Sequence, residues 1–240
     1  MRGKSLAYAI EWLRQQQSDG LWHNTPHNTG LVLSHIAVSG YVNDENTCSG
    51  SLEKSRSKTL SMFQKDPDSL TELNGGRLAL VILGLKATCT DPKQYVGLDL
   101  VELLVQKMKK FPHDGFNNYY QYSLGIIALA SANKYIDDSF LEKLLTNVFL
   151  GNGKKIKGAF GAIMNDTRLM GVLALQAAHR QKFHPHWYAK HVNRELRKAH
   201  KALKQVLKNF DRMEKNIVTV AHMMQVIYTQ FIDNYYNFLL

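Results

Sequence analysis

Polar side chains gather at the starts of the most apolar stretches of this 240-residue chain. Asn74 and Arg77 precede Leu78–Leu85, and Asn117-Asn118-Tyr119-Tyr120-Gln121 precede Tyr122–Ala130. Asn165-Asp166-Thr167 precede Leu169–Leu175, and Asn216 with Thr219 stand at the head of Val218–Tyr228. Amides, a carboxylate, hydroxyls and a guanidinium in such places suit one kind of chemistry, hydrogen bonding to a large ligand edged with amides. Helix capping accounts for part of the pattern, because Asn, Asp and Thr accept hydrogen bonds from the free N–H groups of a first helical turn. A cap needs one residue per helix, however, and Asn117–Gln121 offers five in succession.

Catalytic arrangements are not found. No Gly-rich phosphate loop precedes a helix, and no Gly-x-Ser-x-Gly elbow occurs. Asp137-Asp138 opens a helical pattern, where the macrodipole favours acids, so it reads as a helix start and not an acid–base pair. His184-Pro185-His186 offers two imidazoles, but zinc takes about four ligands and no Cys or acid lies near in sequence. A surface turn is the better reading. Two cysteines, Cys48 and Cys89, are too few for a disulfide scaffold, and the sequence leaves their pairing open. Cys89 lies just past an apolar helix, as a small buried residue or as half of a bridge. No catalytic residue, no metal site and no enzymatic activity are assigned.

The elements that must position the polar groups are helices. Leu6, Ala9, Ile10 and Leu13 form one apolar face over residues 5–17, and 29–38 is apolar nearly all round. The couplet returns: 52–64 is amphipathic and 76–85 apolar, then 97–110 and 117–130, then 138–149 and 167–175. Residues 186–209 and 218–228 make a fifth pair. Leu31, Leu78, Leu124 and Met170 fall at intervals of 47, 46 and 46 residues, the signature of a helical-hairpin repeat. Each unit is an outer amphipathic helix, a loop, and an inner helix whose small residues (Gly84, Gly125, Ala128, Gly171, Ala174) let backbones approach closely.

Such pairs stack as an open solenoid or as a closed α/α toroid. Recurring turns, Asp19-Gly20-Leu21-Trp22 and Asp114-Gly115-Phe116, favour the toroid, which would collect the amino ends of its inner helices at one mouth. The expectation is an all-α protein, a single domain over residues 1–240, with about five hairpins of an incomplete toroid.

Bulk properties agree with a globular chain. Apolar residues make up 45% of it, and no run approaches the roughly 18 apolar residues that mark a membrane span. Met1–Leu6 runs straight into an amphipathic pattern with no apolar leader core or cleavage site. The chain is therefore intracellular or given without its leader. The net charge of +10 is concentrated in Lys182–Lys215, where the bases alternate with Leu196, Leu203, Val206 and Leu207 at helical spacing. That is a solvated outer face, and no nucleic-acid partner is expected.

Tyr119-Tyr120-Gln121-Tyr122-Ser123-Leu124-Gly125-Ile126-Ile127-Ala128-Leu129 closely resembles the central signature of the eukaryotic cobalamin carriers, the family of transcobalamin, haptocorrin and gastric intrinsic factor. Gly76–Leu80 with Leu85–Cys89 resembles the second inner helix of that family and the cysteine after it. Asp166-Thr167 with Met170 and Leu173-Ala174 resembles the fourth, and Asn216 with Thr219 the fifth. The likeness covers residues of about 70–230 and is specific at its centre.

The resemblance implies an α6/α6 toroid that holds one face of a corrin, with a smaller β-rich domain closing over the other. This chain would lack that domain and the sixth helical pair. Cobalamin would be the bound ligand. Asn117, Asn118, Tyr119, Tyr120, Gln121, Asp166, Asn216 and Thr219 would contact it, with Arg77 standing where the family usually has Gln. The amides, Asp166 and Thr219 would hydrogen-bond the corrin's side chains and phosphate-linked tail, and the rings of Tyr119 and Tyr120 would give apolar contact. The position of one member's cobalt-ligating His falls at about Ala162, so no protein ligand to cobalt is expected. Two family cysteines that pair with each other align with Ala130 and about Ala177, and Cys89 matches one whose partner lies beyond residue 240. Secretion to the extracellular space, a monomer, and a cell-surface uptake receptor as a further partner also follow from the likeness.

Two other classes compete. An enzyme on the same architecture, such as a terpenoid cyclase, a prenyltransferase or a glycan-processing toroid, would show clustered aspartates, a zinc triad or paired acids at the mouth, and none is found. A helical-repeat interaction protein would use the basic face.

Overall fold

A computed structural model describes residues 53–66, 68–113, 116, 118–150 and 165–179, with isolated positions at 12, 15, 16, 25, 28–30, 32, 194 and 197. The described residues are mostly helical and contain no strand, only an isolated bridge between Tyr95 and Leu98. The all-α class read from periodicity therefore holds. The pairs expected at 5–17 with 29–38 and at 186–209 with 218–228 lie outside the described residues, apart from those isolated positions. The chain divides into two compact units, Met1–Phe116 with Ser131–Lys134, and Asn117–Ala130 with Tyr135–Leu240.

In the first unit, α1 (Glu53–Lys65) ends before Pro67 and is followed by a short α2 (Asp68–Glu72). The periodicity does not announce α2. It starts where the Asp66 side chain accepts from the Ser69 N–H at 3.3 Å, and it carries the fully buried Leu70 inward. Next comes α3 (Gly75–Ala87), with Asn74 as its N-cap. Burial on almost every side explains the apolar composition of α3: Leu78, Ala79 and Ile82 are completely enclosed. Each Leu or Ile so buried contributes roughly 2–3 kcal/mol.

The small residues of α3 act as the sequence pattern suggests. A Cβ on Gly84 would run into the Cα of Gly30, and one on Gly30 into the carbonyl of Leu80. Two backbones thus touch there. At the start of α3, a Cβ on Gly75 would collide with the ring of Phe116, which packs edge-to-face on Phe111 at 5.9 Å. The helix ends at Thr88, whose N–H and hydroxyl both reach the carbonyls of Gly84 and Leu85. Cys89 follows at φ 55° and is disulfide-bonded. The sequence's other cysteine is Cys48, outside the described residues.

The sequence pattern starts the next helix at 97, but α4 spans Leu100–Lys110. The difference has a local cause. A 3-10 turn at Pro92–Gln94 and the paired Tyr95 and Leu98 hold Val96 and Gly97 at φ 53° and 76°, so no helix can begin there. Asp99 then caps α4 by accepting from the N–H groups of Val101 and Glu102, each at 2.9 Å. One stripe of α4 is buried (Leu100, Val101, Leu104, Val105, Met108), and Lys107, Lys109 and Lys110 complement the dipole in its last turn.

The second unit contains α5 (Tyr119–Ser131), α6 (Asp138–Leu144) and α7 (Asn165–His179). Asp137 caps α6 through the Ser139 N–H at 2.8 Å, which confirms Asp137-Asp138 as a helix start. The single helix expected over 138–149 changes to a π-helical turn at Leu145–Leu150. This wider turn buries Val148 and brings Phe149 against Gly171 of α7, where a Cβ would lie 3.0 Å from the ring.

Candidate functional site

The amino end of α5 is built from its own side chains. Asn118 is the cap: its Oδ1 accepts from the Gln121 N–H at 2.9 Å, and its carbonyl accepts from the Tyr122 N–H at 3.1 Å. With Oδ1 fixed in this way, the Asn118 Nδ2 group makes no hydrogen bond among the described residues. Two N–H donors are thereby held at the helix mouth in a half-buried position. Tyr120 and Gln121 share that intermediate burial, and Leu124 and Ile127 continue the same face along the helix. The face is polar for its first turn and aliphatic thereafter.

The opposite side of α5 anchors it. Tyr119 is 7% exposed, and its ring packs edge-to-face on Tyr122 at 6.0 Å. Tyr122, fully buried, packs in turn on Phe140 of α6 at 6.4 Å and directs its hydroxyl toward the Phe140 carbonyl at 3.5 Å. The Ser123 hydroxyl donates to the Tyr119 carbonyl at 2.8 Å. Burial pushes the Tyr119 phenol up to about 12. It pushes Tyr122 higher still, with the charges of Tyr119 and Asp137 adding in the same direction. Both phenols stay protonated at neutral pH, as donors and as apolar rings.

Within the same unit, Asn165 and Asp166 open α7, and Thr167 is half-buried in its first turn. An acid there is favoured by the helix dipole. In the other unit, Arg77 is exposed in the first turn of α3, and its N–H donates to Asn74 Oδ1 at 2.9 Å. The Arg77 guanidinium makes no hydrogen bond or ion pair among the described residues. Asn117, Asn216 and Thr219 lie outside the described residues.

Sequence reasoning treated Asn117–Gln121 as one polar group and did not separate the cap from the rest. The signal was present, since an Asn followed three residues later by Gln has the spacing of a capping box. The anchoring of Tyr122 on Phe140 had no comparable signal across 18 residues of sequence. No group of three or more His, Cys, Asp and Glu side chains among the described residues could hold a metal ion. No helix among them is long and apolar enough to cross a membrane.

The family model described as "Eukaryotic cobalamin-binding protein" matches residues 43–214. The chain belongs to this family. Its relatives include Transcobalamin-2 of Bos taurus, 38% identical over 92 residues, which are 33% of this chain and 20% of that protein. Transcobalamin-2 of Mus musculus is 34% identical over 124 residues, 47% of this chain and 27% of the relative. Transcobalamin-2 of Homo sapiens is 31% identical over 130 residues, 51% of this chain and 29% of the relative. The aligned part of this chain thus spans between a fifth and a third of the length of these relatives. The match covers α1 to α7, including both Asn118–Gln121 and Asp166.

Proposed function

We propose that this chain binds and carries cobalamin or a related corrinoid, as a helical domain with its hairpins arranged in the toroid the resemblance implies. The observation that carries the proposal is the family match over residues 43–214, which includes a helix mouth with donors left over from capping. In this reading the Asn118 amide and the Gln121 side chain hydrogen-bond amide groups on the corrin rim. Tyr120 supplies apolar surface, and Tyr119 offers the small edge it leaves exposed. Asp166 accepts a hydrogen bond at the start of α7, and Arg77 donates at the start of α3. Asn117, Asn216 and Thr219 complete the set by family position.

A corrin presents many amides, and a polar edge that loses water without finding a partner costs about 1–3 kcal/mol. Several placed amides and carboxylates therefore serve such a ligand better than a single strong contact. The protein's part is binding, with no chemistry performed on the ligand. Secretion, action as a monomer and delivery to a cell-surface receptor belong to the same proposal. Enzymatic action on this architecture is the weaker reading, because the family model that matches is that of a binding protein and no group of three or more His, Cys, Asp and Glu side chains among the described residues could hold a metal ion.

The test is direct. Purified protein is mixed with cyanocobalamin at micromolar concentration and followed by the visible spectrum and by co-elution in gel filtration. Retention is expected. The double variant Gln121→Ala, Asp166→Ala is expected to lose it with helical circular dichroism unchanged. No retention by the parent protein removes the binding function, and loss of fold in the double variant makes these residues structural.

A further inference from the structure

The turn that ends α3 has a geometry that favours glycine, and the residue there is a cysteine. Thr88 is the C-cap. The Cys89 N–H donates to the Lys86 carbonyl at 3.2 Å, and the Thr90 N–H donates to the Leu85 carbonyl at 2.9 Å. These two bonds are the Schellman pairing that closes helices, and they put the residue after the cap at positive φ. Cys89 has φ 55°. A Cβ is unfavourable in that conformation, so Gly or Asn usually takes the position. What a cysteine adds there is its bond, for Cys89 is disulfide-bonded. Cys89 is also exposed, whereas Thr88 before it is buried. The bridge thus meets solvent at Cys89 and holds the chain one residue past the buried end of α3.

We propose that the Cys89 disulfide is a redox latch on α3: thiols open it in the folded protein, and its opening loosens the turn that ends the helix. Exposed or strained disulfides are the ones most readily reduced. A small-molecule thiol, as its thiolate, attacks one sulfur of the bridge. A new S–S bond forms, and the other bridge sulfur leaves as a thiolate with the electron pair of the broken bond. A second thiol then displaces the first sulfur from the mixed disulfide. The bridge gains two electrons and two protons, and two reductant thiols become one disulfide. With the bridge gone, Cys89 keeps the strain of positive φ without the constraint that offset it. Oxidising surroundings outside cells hold the latch shut, and a thiol-rich cytosol opens it. The latch needs no bound corrin and stands independently of the cobalamin reading.

The experiment exposes the intact chain to dithiothreitol at several urea concentrations below the unfolding transition, and traps thiols with iodoacetamide for peptide mass mapping. Cys89 is expected to become alkylated at a rate that urea leaves unchanged. A rate rising exponentially with urea means that the bridge is reached only after unfolding, and overturns the latch. The Tm of the reduced chain, followed by circular dichroism, is expected to fall by at least about 5 °C. An unchanged Tm overturns the hold on α3. Two variants, both melted in dithiothreitol, check the turn itself. Cys89→Gly is expected to melt about 2–4 °C above Cys89→Ala, because Gly accepts positive φ without strain. Equal melting means that φ 55° is no burden to a residue with a Cβ, and overturns the strained turn.

Discussion

Asn118 offers the sharpest separation between a residue that builds a helix and one that serves a ligand. Its Oδ1 is committed to the Gln121 N–H at 2.9 Å, while its Nδ2 donors have no hydrogen-bond partner among the described residues. Two substitutions divide these roles. Asn118→Ala removes both, and loss of an Asn cap costs about 1 kcal/mol, within a range of roughly 0.5–2. For a chain of this length that lowers Tm by about 2–4 °C per kcal/mol. Asn118→Asp keeps an oxygen at the cap and places a negative charge at the helix amino end, worth about 0.3–1 kcal/mol in its favour. Its Tm is therefore expected to equal or exceed the parent's.

Corrin affinity should follow a different order. Both variants lose the Nδ2 donors, and a hydrogen bond of about 1 kcal/mol corresponds to roughly fivefold in Kd. Thermal unfolding by circular dichroism and spectral titration with cyanocobalamin measure the two effects separately. Parent-like affinity in Asn118→Asp would refute the ligand role and leave Asn118 as a cap alone. A drop in Tm for Asn118→Asp matching that of Asn118→Ala would refute the capping argument itself.

Two further outcomes are expected. Gly84→Ala should destabilise the protein by about 1–3 kcal/mol through overpacking, because its new Cβ meets the Gly30 backbone and not a side chain that can swing away; an unchanged denaturation midpoint would contradict the close approach. At alkaline pH, the Tyr119 proton is held in the folded state to about 12 against an ordinary 10.0, so its stabilising contribution is complete below pH 10 and is lost as pH rises toward 12. Tyr122 acts in the same direction, and tyrosinate absorbance recorded with circular dichroism should show these two tyrosines ionising late and together with unfolding.

Much of the candidate site could be read from residue types. Asn118 and Gln121 stand at capping-box spacing, and the aliphatic run after them marks a helix that must be buried, so a polar entrance to a buried helix follows locally. The partition of that entrance did not follow. Whether Tyr119 or Tyr120 is the buried ring depends on which side of α5 meets Phe140, and that side is set by a residue in another helix. The short α2 and the late start of α4 were missed for a related reason. A single buried leucine and a turn with two positive φ values override the periodic pattern around them.

The sequence alone determined that the chain is all-α, that its helices alternate between amphipathic and apolar, and that polar residues open the apolar ones. It also carried enough of a family signature to nominate a ligand. These properties are written in local periodicity, because a helix repeats every few residues and displays its buried face directly. Tertiary structure alone decided the rest. It withdrew Tyr122 into a ladder with Phe140 and set Gly84 against Gly30. Each of these depends on which distant surface arrives at a given helix face, and a side chain's type does not encode that neighbour.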